Sequence, residues 1–135
     1  MRLVADQGCL VCGTANPIGL QVHFDVEGGH AHAELVLSEL FQGWQEVAHG
    51  GVVSALLDEA MFYALAEEGW RGMTAEMTVR FLKPVPLGTT LLLTAERVKL
   101  HRRLGRATAR LCSGDDVLAE ASGTFLATAE RGPRR

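Results

Sequence analysis

No stretch of this 135-residue chain is apolar for the roughly 18 residues that a membrane-spanning helix needs, so no membrane partner is expected. Positive charge is not in excess: the formal net charge is -3, which argues against a dedicated nucleic-acid binder. Cysteine is scarce and odd in number, with Cys9, Cys12 and Cys112 in no regular framework, so a disulfide-built secreted fold is not expected. The N-terminal segment MRLVADQGCLVCG contains an acid and has no long apolar core after Arg2, and it does not read as a secretory signal. A cytoplasmic protein with reduced thiols is the expectation. No internal repeat is present, and the one low-complexity stretch is residues 131–135, expected to fray. Aromatic residues make up only 6% of a chain that is 47% hydrophobic, enough for one self-sufficient domain over residues 1–130.

What the chain does have is concentrated in residues 49–60, His49-Gly50-Gly51 followed by an apolar run with a charge in it. In a helix over residues 50–66, Val52, Val53, Leu56, Leu57, Ala60, Met61, Ala64 and Leu65 fall on one broad face, with Ala55, Phe62 and Ala66 over much of the other. Such a helix is buried. Asp58 and Glu59 are its only charges, and a carboxylate in apolar surroundings needs a partner or a purpose.

Around it the pattern changes to alternation. Residues 20–26 and 31–37 predict a hairpin about Glu27-Gly28-Gly29-His30, and residues 38–49 a loop leading into the helix, with Gly69 as its stop. Four more strands are predicted at 74–83, 89–100, 106–112 and 117–128, with turns at residues 84–88, 101–105 and 113–116. Short turns favour antiparallel pairing. The predicted class is α+β, one long central helix packed on a curved antiparallel sheet of about six strands.

Cys9 and Cys12, three apart, can grip a zinc ion, but a closed structural site takes four ligands and only half of one is visible. His23 or Cys112 would have to complete it. Without them a metal is not expected. The histidines at positions 23, 30, 32 and 101 lie in strand or turn segments without ligand spacing.

The sequence resembles the hotdog-fold acyl-CoA thioesterases of the phenylacetate-pathway type over nearly its whole length. The residues that carry the resemblance are Cys9 to Gly13 with Asn16-Pro17-Ile18-Gly19-Leu20, the loop Phe41-Gln42-Gly43-Trp44, and His49-Gly50-Gly51 with Asp58 nine residues after the histidine. Thr74-Ala75-Glu76-Met77 and residues 83–88 complete it. The resemblance implies a sheet wrapped around the helix, homodimers that pair their sheets side by side and often double to tetramers, and active sites between subunits. It also implies that Thr74 holds the nucleophilic water or the carboxylate. Some relatives place an asparagine six residues before the histidine; here that position is Gly43, and Gln42 or Gln45 is left to take its place.

The chemistry of the residues agrees. The first N–H groups of a helix have no intrahelical acceptor and lie at the positive end of its dipole, and Gly50 and Gly51 leave them open to close approach. The N–H of Gly51 suits the oxygen of a thioester carbonyl, and Asp58 suits a base that deprotonates water, or a nucleophile, with the water route preferred. His49 is expected to fix the loop by hydrogen bonding. Seven residues put Gly51 and Asp58 about 10 Å apart along the helix and within about 20° of one face. That is too far for one reacting carbon, so Gly51 of one subunit is expected to work with Asp58 of its neighbour. Glu59 points about 100° away and is expected to meet solvent or an arginine.

Trp44 and Phe62, with Phe41 and Tyr63, are candidates to line an acyl pocket, though core packing explains aromatic residues there equally well. Arg97 and Lys99, with Arg106 and Arg110, fall on alternate positions of two neighbouring strands and are candidates to attract the phosphates of coenzyme A. The expectation is an acyl-CoA hydrolase without metal or other cofactor. A hotdog hydratase or dehydratase and a non-catalytic acyl-CoA binder are the alternatives.

Overall fold

The computed structural model describes residues 6–66 and 69–128. The expected frayed tail at 131–135 and the expected helix end at residues 67–68 lie outside them. The elements follow in the order β1 (Asp25–Glu27), β2 (His30–Val36), a 3-10 turn (Glu39–Phe41), α1 (Gly50–Leu65), β3 (Gly72–Phe81), β4 (Thr90–His101), β5 (Leu104–Ser113) and β6 (Asp116–Ala127). All pairings are antiparallel in one six-stranded sheet of order β1-β2-β4-β5-β6-β3. This is the α+β hotdog architecture that the sequence predicts.

Local chemistry explains the joints. Gly28 and Gly29 both have positive φ, 58° and 82°, which a two-residue turn with primed geometry requires between β1 and β2. The first strand is shorter than its alternation suggests. Val22 and Phe24 alternate because they are buried, but Gln21 has φ 54° and the amides of Leu20 and Val22 bond to Leu10 and Val11 instead of to β2. The helix ends at Leu65, capped by Ala66, before the glycine expected to stop it.

Helix α1 lies along one face of the sheet with Leu56, Leu57, Ala60, Met61, Ala64 and Leu65 fully buried. Each large side chain so buried contributes about 1.5–3 kcal/mol. The approach is close: a Cβ on Gly105 would stand 3.0 Å from Leu65, and one on Gly123 would stand 3.1 Å from Met61. A side chain at either position would force Leu65 or Met61 to give by a few tenths of an ångström. The opposite sheet face is polar. Strand β3 forms one margin of the sheet, bonded on one side to β6. No helix among the described residues is long and apolar enough to cross a membrane.

Candidate active site

The site is built where the loop at 42–49 meets the helix. The Ala48 amide bonds to Val85 and the His49 amide to Phe41, which fixes the direction in which α1 starts. His49 is the N-cap, and its Nδ1 accepts the Gly51 N–H at 2.8 Å. The ring therefore has the role expected of it. It also holds the amide that the sequence assigns to a substrate oxygen, whereas the Gly50 N–H has no acceptor among the described residues.

Two turns on, Asp58 is half-buried and its Oδ1 accepts the Thr74 hydroxyl at 2.5 Å. Thr74 reaches it because β3 carries a bulge between Thr74 and Glu76. Plain alternation from Glu76, Thr78 and Arg80 would turn Thr74 away from the helix; the extra residue, Ala75, sets it opposite buried Phe125 and on the helix side. Phe62, one turn beyond Asp58, is half-buried and packs edge-on against Tyr63.

A cavity of about 820 Å³ opens beside the Gly51 amide. Leu10, Ile18, Leu40, Phe41, Val52 and Ala55 give it an apolar wall. A second hollow of about 500 Å³ is bordered by Gly43, Trp44, Gln45 and Gly50. Trp44 is 83% exposed there and forms no part of the core. Gln42 is committed elsewhere, its Oε1 accepting the Glu46 N–H at 3.1 Å.

Lys99, Arg106 and Arg110 share the outer face of the sheet, but Arg97 does not join them. A bulge between Arg97 and Lys99 reverses the alternation of β4, so Arg97 faces the helix while Lys99 is set opposite Arg106 on the outer face. Arg97 Nε donates to the carbonyl of Ala64 at 3.3 Å, at the helix C-terminus, where a cation meets the negative end of the dipole. Thirteen residues of helix, about 20 Å, separate that point from Gly51 in the same chain. Arg110 pairs in register with Thr94 and Glu120 on the outer face.

Glu59 meets neither solvent alone nor an arginine. Its Oε2 accepts both thiols of the CxxC pair, Cys12 Sγ at 2.9 Å and Cys9 Sγ at 3.3 Å. Tyr63 donates to Cys12 Sγ at 3.2 Å. Burial, reinforced by the Glu59 carboxylate, pushes the Cys12 thiol well above the usual range, and burial together with the bond to Cys12 does the same to Tyr63. His23 and Cys112, the residues that could have completed a metal site, are not in this group. Nothing in the spacing pointed to Glu59 in their place.

The profile of the thioesterase superfamily matches residues 45–120, from the loop before the glycine pair into the first half of β6. The chain belongs to the thioesterase superfamily. It is 36% identical over 81 residues to a candidate esterase of Pseudomonas aeruginosa, an alignment covering 58% of this chain and 60% of that protein. A crystal structure of another thioesterase superfamily protein superposes with a TM-score of 0.81 at 28% identity, over 87% of this chain and 62% of that one. The chain thus spans about three fifths of the length of each. A Streptococcus mutans protein crystallised with acetyl-CoA superposes with a TM-score of 0.75 at 22% identity, over 82% of this chain and 90% of its own, a likeness of fold.

Proposed function

We propose that this superfamily member is a cytoplasmic acyl-CoA thioesterase of the phenylacetate-pathway type, working as a homodimer or a pair of homodimers and without a catalytic metal or cofactor. The observation that carries the proposal is the Asp58–Thr74 hydrogen bond, on a helix whose glycine start adjoins an apolar cavity. A thioester with its acyl chain in that cavity brings its carbonyl oxygen to the helix N-terminus. There the Gly50 N–H receives it directly, and the Gly51 N–H does so once the His49 ring turns aside.

Asp58 takes a proton from water, and the water oxygen attacks the carbonyl carbon. The C–S bond then breaks, and the proton held by Asp58 passes to the departing coenzyme A thiolate. Thr74 holds Asp58 in place for both transfers. The neighbouring structure with acetyl-CoA bound supports a coenzyme A ester as the substrate class.

The site is completed by a second copy. Strand β3 leaves ten residues of one edge unpaired, with Met73 61% and Phe81 54% exposed. The Phe81 ring lies 3.7 Å from where a Cβ on Gly50 would stand, and Thr74, at the other end of β3, holds Asp58. Antiparallel pairing of two β3 strands about Met77 and Thr78 brings the glycine pair of one copy beside the carboxylate of the other. This removes the separation of about 10 Å between donor and base within one chain.

The test is a panel of short, branched, long and aromatic acyl-CoAs with thiol detection. Release of coenzyme A from at least one class is expected. Binding without release would support a passive binder, and consumption of an enoyl-CoA without free thiol would support a hydratase. A 1:1 mixture of a Gly51-defective and an Asp58-defective chain, each inactive alone, should recover up to about a quarter of wild-type activity, because half of the dimers then hold one intact site. No recovery after verified subunit exchange would place both groups in one chain's site.

A further inference from the structure

The CxxC segment and Glu59 form a second cluster that the thioester chemistry does not use. The Sγ atoms of Cys9 and Cys12 and a carboxylate oxygen of Glu59 all lie within 4.8 Å of one another. Two soft sulfurs and one hard oxygen, converging from a loop and a helix about fifty positions apart in sequence, form a donor set suited to zinc. Zinc bound at about 2.3 Å to sulfur and about 2.0 Å to oxygen in a tetrahedron sets sulfur–oxygen separations of roughly 3.5 Å. The separations here are 3.3 and 2.9 Å, and the three atoms lie within 4.8 Å of one another, so side-chain adjustment of under about 1 Å opens room for the ion.

The loop is shaped for the same purpose. The Cys12 amide points at Cys9 Sγ at 3.3 Å, and the Gly13 amide closes the turn on the Cys9 carbonyl at 3.0 Å. Only glycine fits at position 13, where a Cβ would stand 2.3 Å from the Gln7 carbonyl oxygen. Tyr63 aims its hydroxyl at Cys12 Sγ. An amide on one sulfur and a hydroxyl on the other are the outer contacts that orient thiolate ligands. Half-buried Cys9 and Glu59 leave a way in from solvent.

We propose that Cys9, Cys12 and Glu59 bind one zinc ion per chain, with water as fourth ligand, as a clasp between the N-terminal loop and the back of α1. The loop so clasped carries Leu10, Ile18 and Leu20, three residues of the wall of the 820 Å³ cavity. The clasp thus holds that wall against the helix.

The experiment uses the full, untagged chain, stripped with a chelator and titrated with cobalt(II) and then zinc. One equivalent of cobalt should bind with thiolate-to-metal charge-transfer absorption and the intense visible bands of a tetrahedral site, and zinc should displace it. Glu59→Gln should weaken binding by at least 10–100-fold, and the Cys9→Ser/Cys12→Ser double variant should abolish the charge-transfer band. Zinc should also raise the melting temperature of the stripped wild-type chain, a readout that needs no variant to fold. Absence of the charge-transfer band in the wild-type chain overturns the proposal. So does equal binding by the double serine variant, or a Cys9–Cys12 disulfide as the form that accounts for the pair in freshly purified protein.

Discussion

Asp58 and Glu59 are neighbours on one helix, both half-buried, and their surroundings differ completely. Asp58 looks toward the open margin of the sheet, where Thr74 is its one hydrogen-bond donor among the described residues and a free oxygen remains for water. Glu59 looks toward the N-terminal loop, where two thiols converge on a single oxygen and a tyrosine backs them. A rotation of about 100° separates the carboxylate proposed to move protons from the one proposed to fasten the N-terminal loop to the helix. Two acids of ordinary type thus differ through what other segments bring to them.

The sharpest way to break this contrast is to neutralise each acid in turn. Asp58→Asn should lower kcat about 10²-fold to 10⁴-fold with the fold and assembly intact, measured by thiol release and circular dichroism. Glu59→Gln should lower kcat by no more than about threefold, with a lower melting temperature as its main effect. A reversal of these two results would exchange the roles assigned to them. A smaller effect is expected at the donor beside Asp58: Thr74→Val should reduce kcat about tenfold, and Thr74→Ser should restore most of it, because only the serine keeps a hydroxyl. The smallest lies on the other side of the helix, where Tyr63→Phe should cost about 1 kcal/mol in denaturant unfolding by removing the donor to Cys12, with kcat almost unaffected.

Much of this arrangement was legible in the residues, and the misses share one physical cause. An apolar run interrupted by two acids marked the helix, and glycines and short turns marked the succession of strands along the chain and their antiparallel pairing. Odd-and-even counting then failed at two places. It would have turned Thr74 outward, and it joined Arg97 to Lys99 and Arg106 on one surface; a bulge in β3 and another in β4 reverse the parity at those points. A bulge is one extra residue opposed by none, and no composition signal announces it. Glu59 was missed for a different reason. Its partners come from the far end of the chain, and thiols carry no charge to suggest an acid's company.

The cavity beside Gly51 draws Leu10, Pro17, Ile18 and Leu40 from segments outside every strand of the sheet and outside the long helix. Exchanging such side chains alters its width and depth while the sheet ladder and the packing beneath α1 stay as they are. Selection can therefore reshape this cavity, and with it the choice of acyl chain proposed to occupy it, in single steps, each nearly neutral for folding. Descendants of one such sequence are free to diverge in diet long before they diverge in shape.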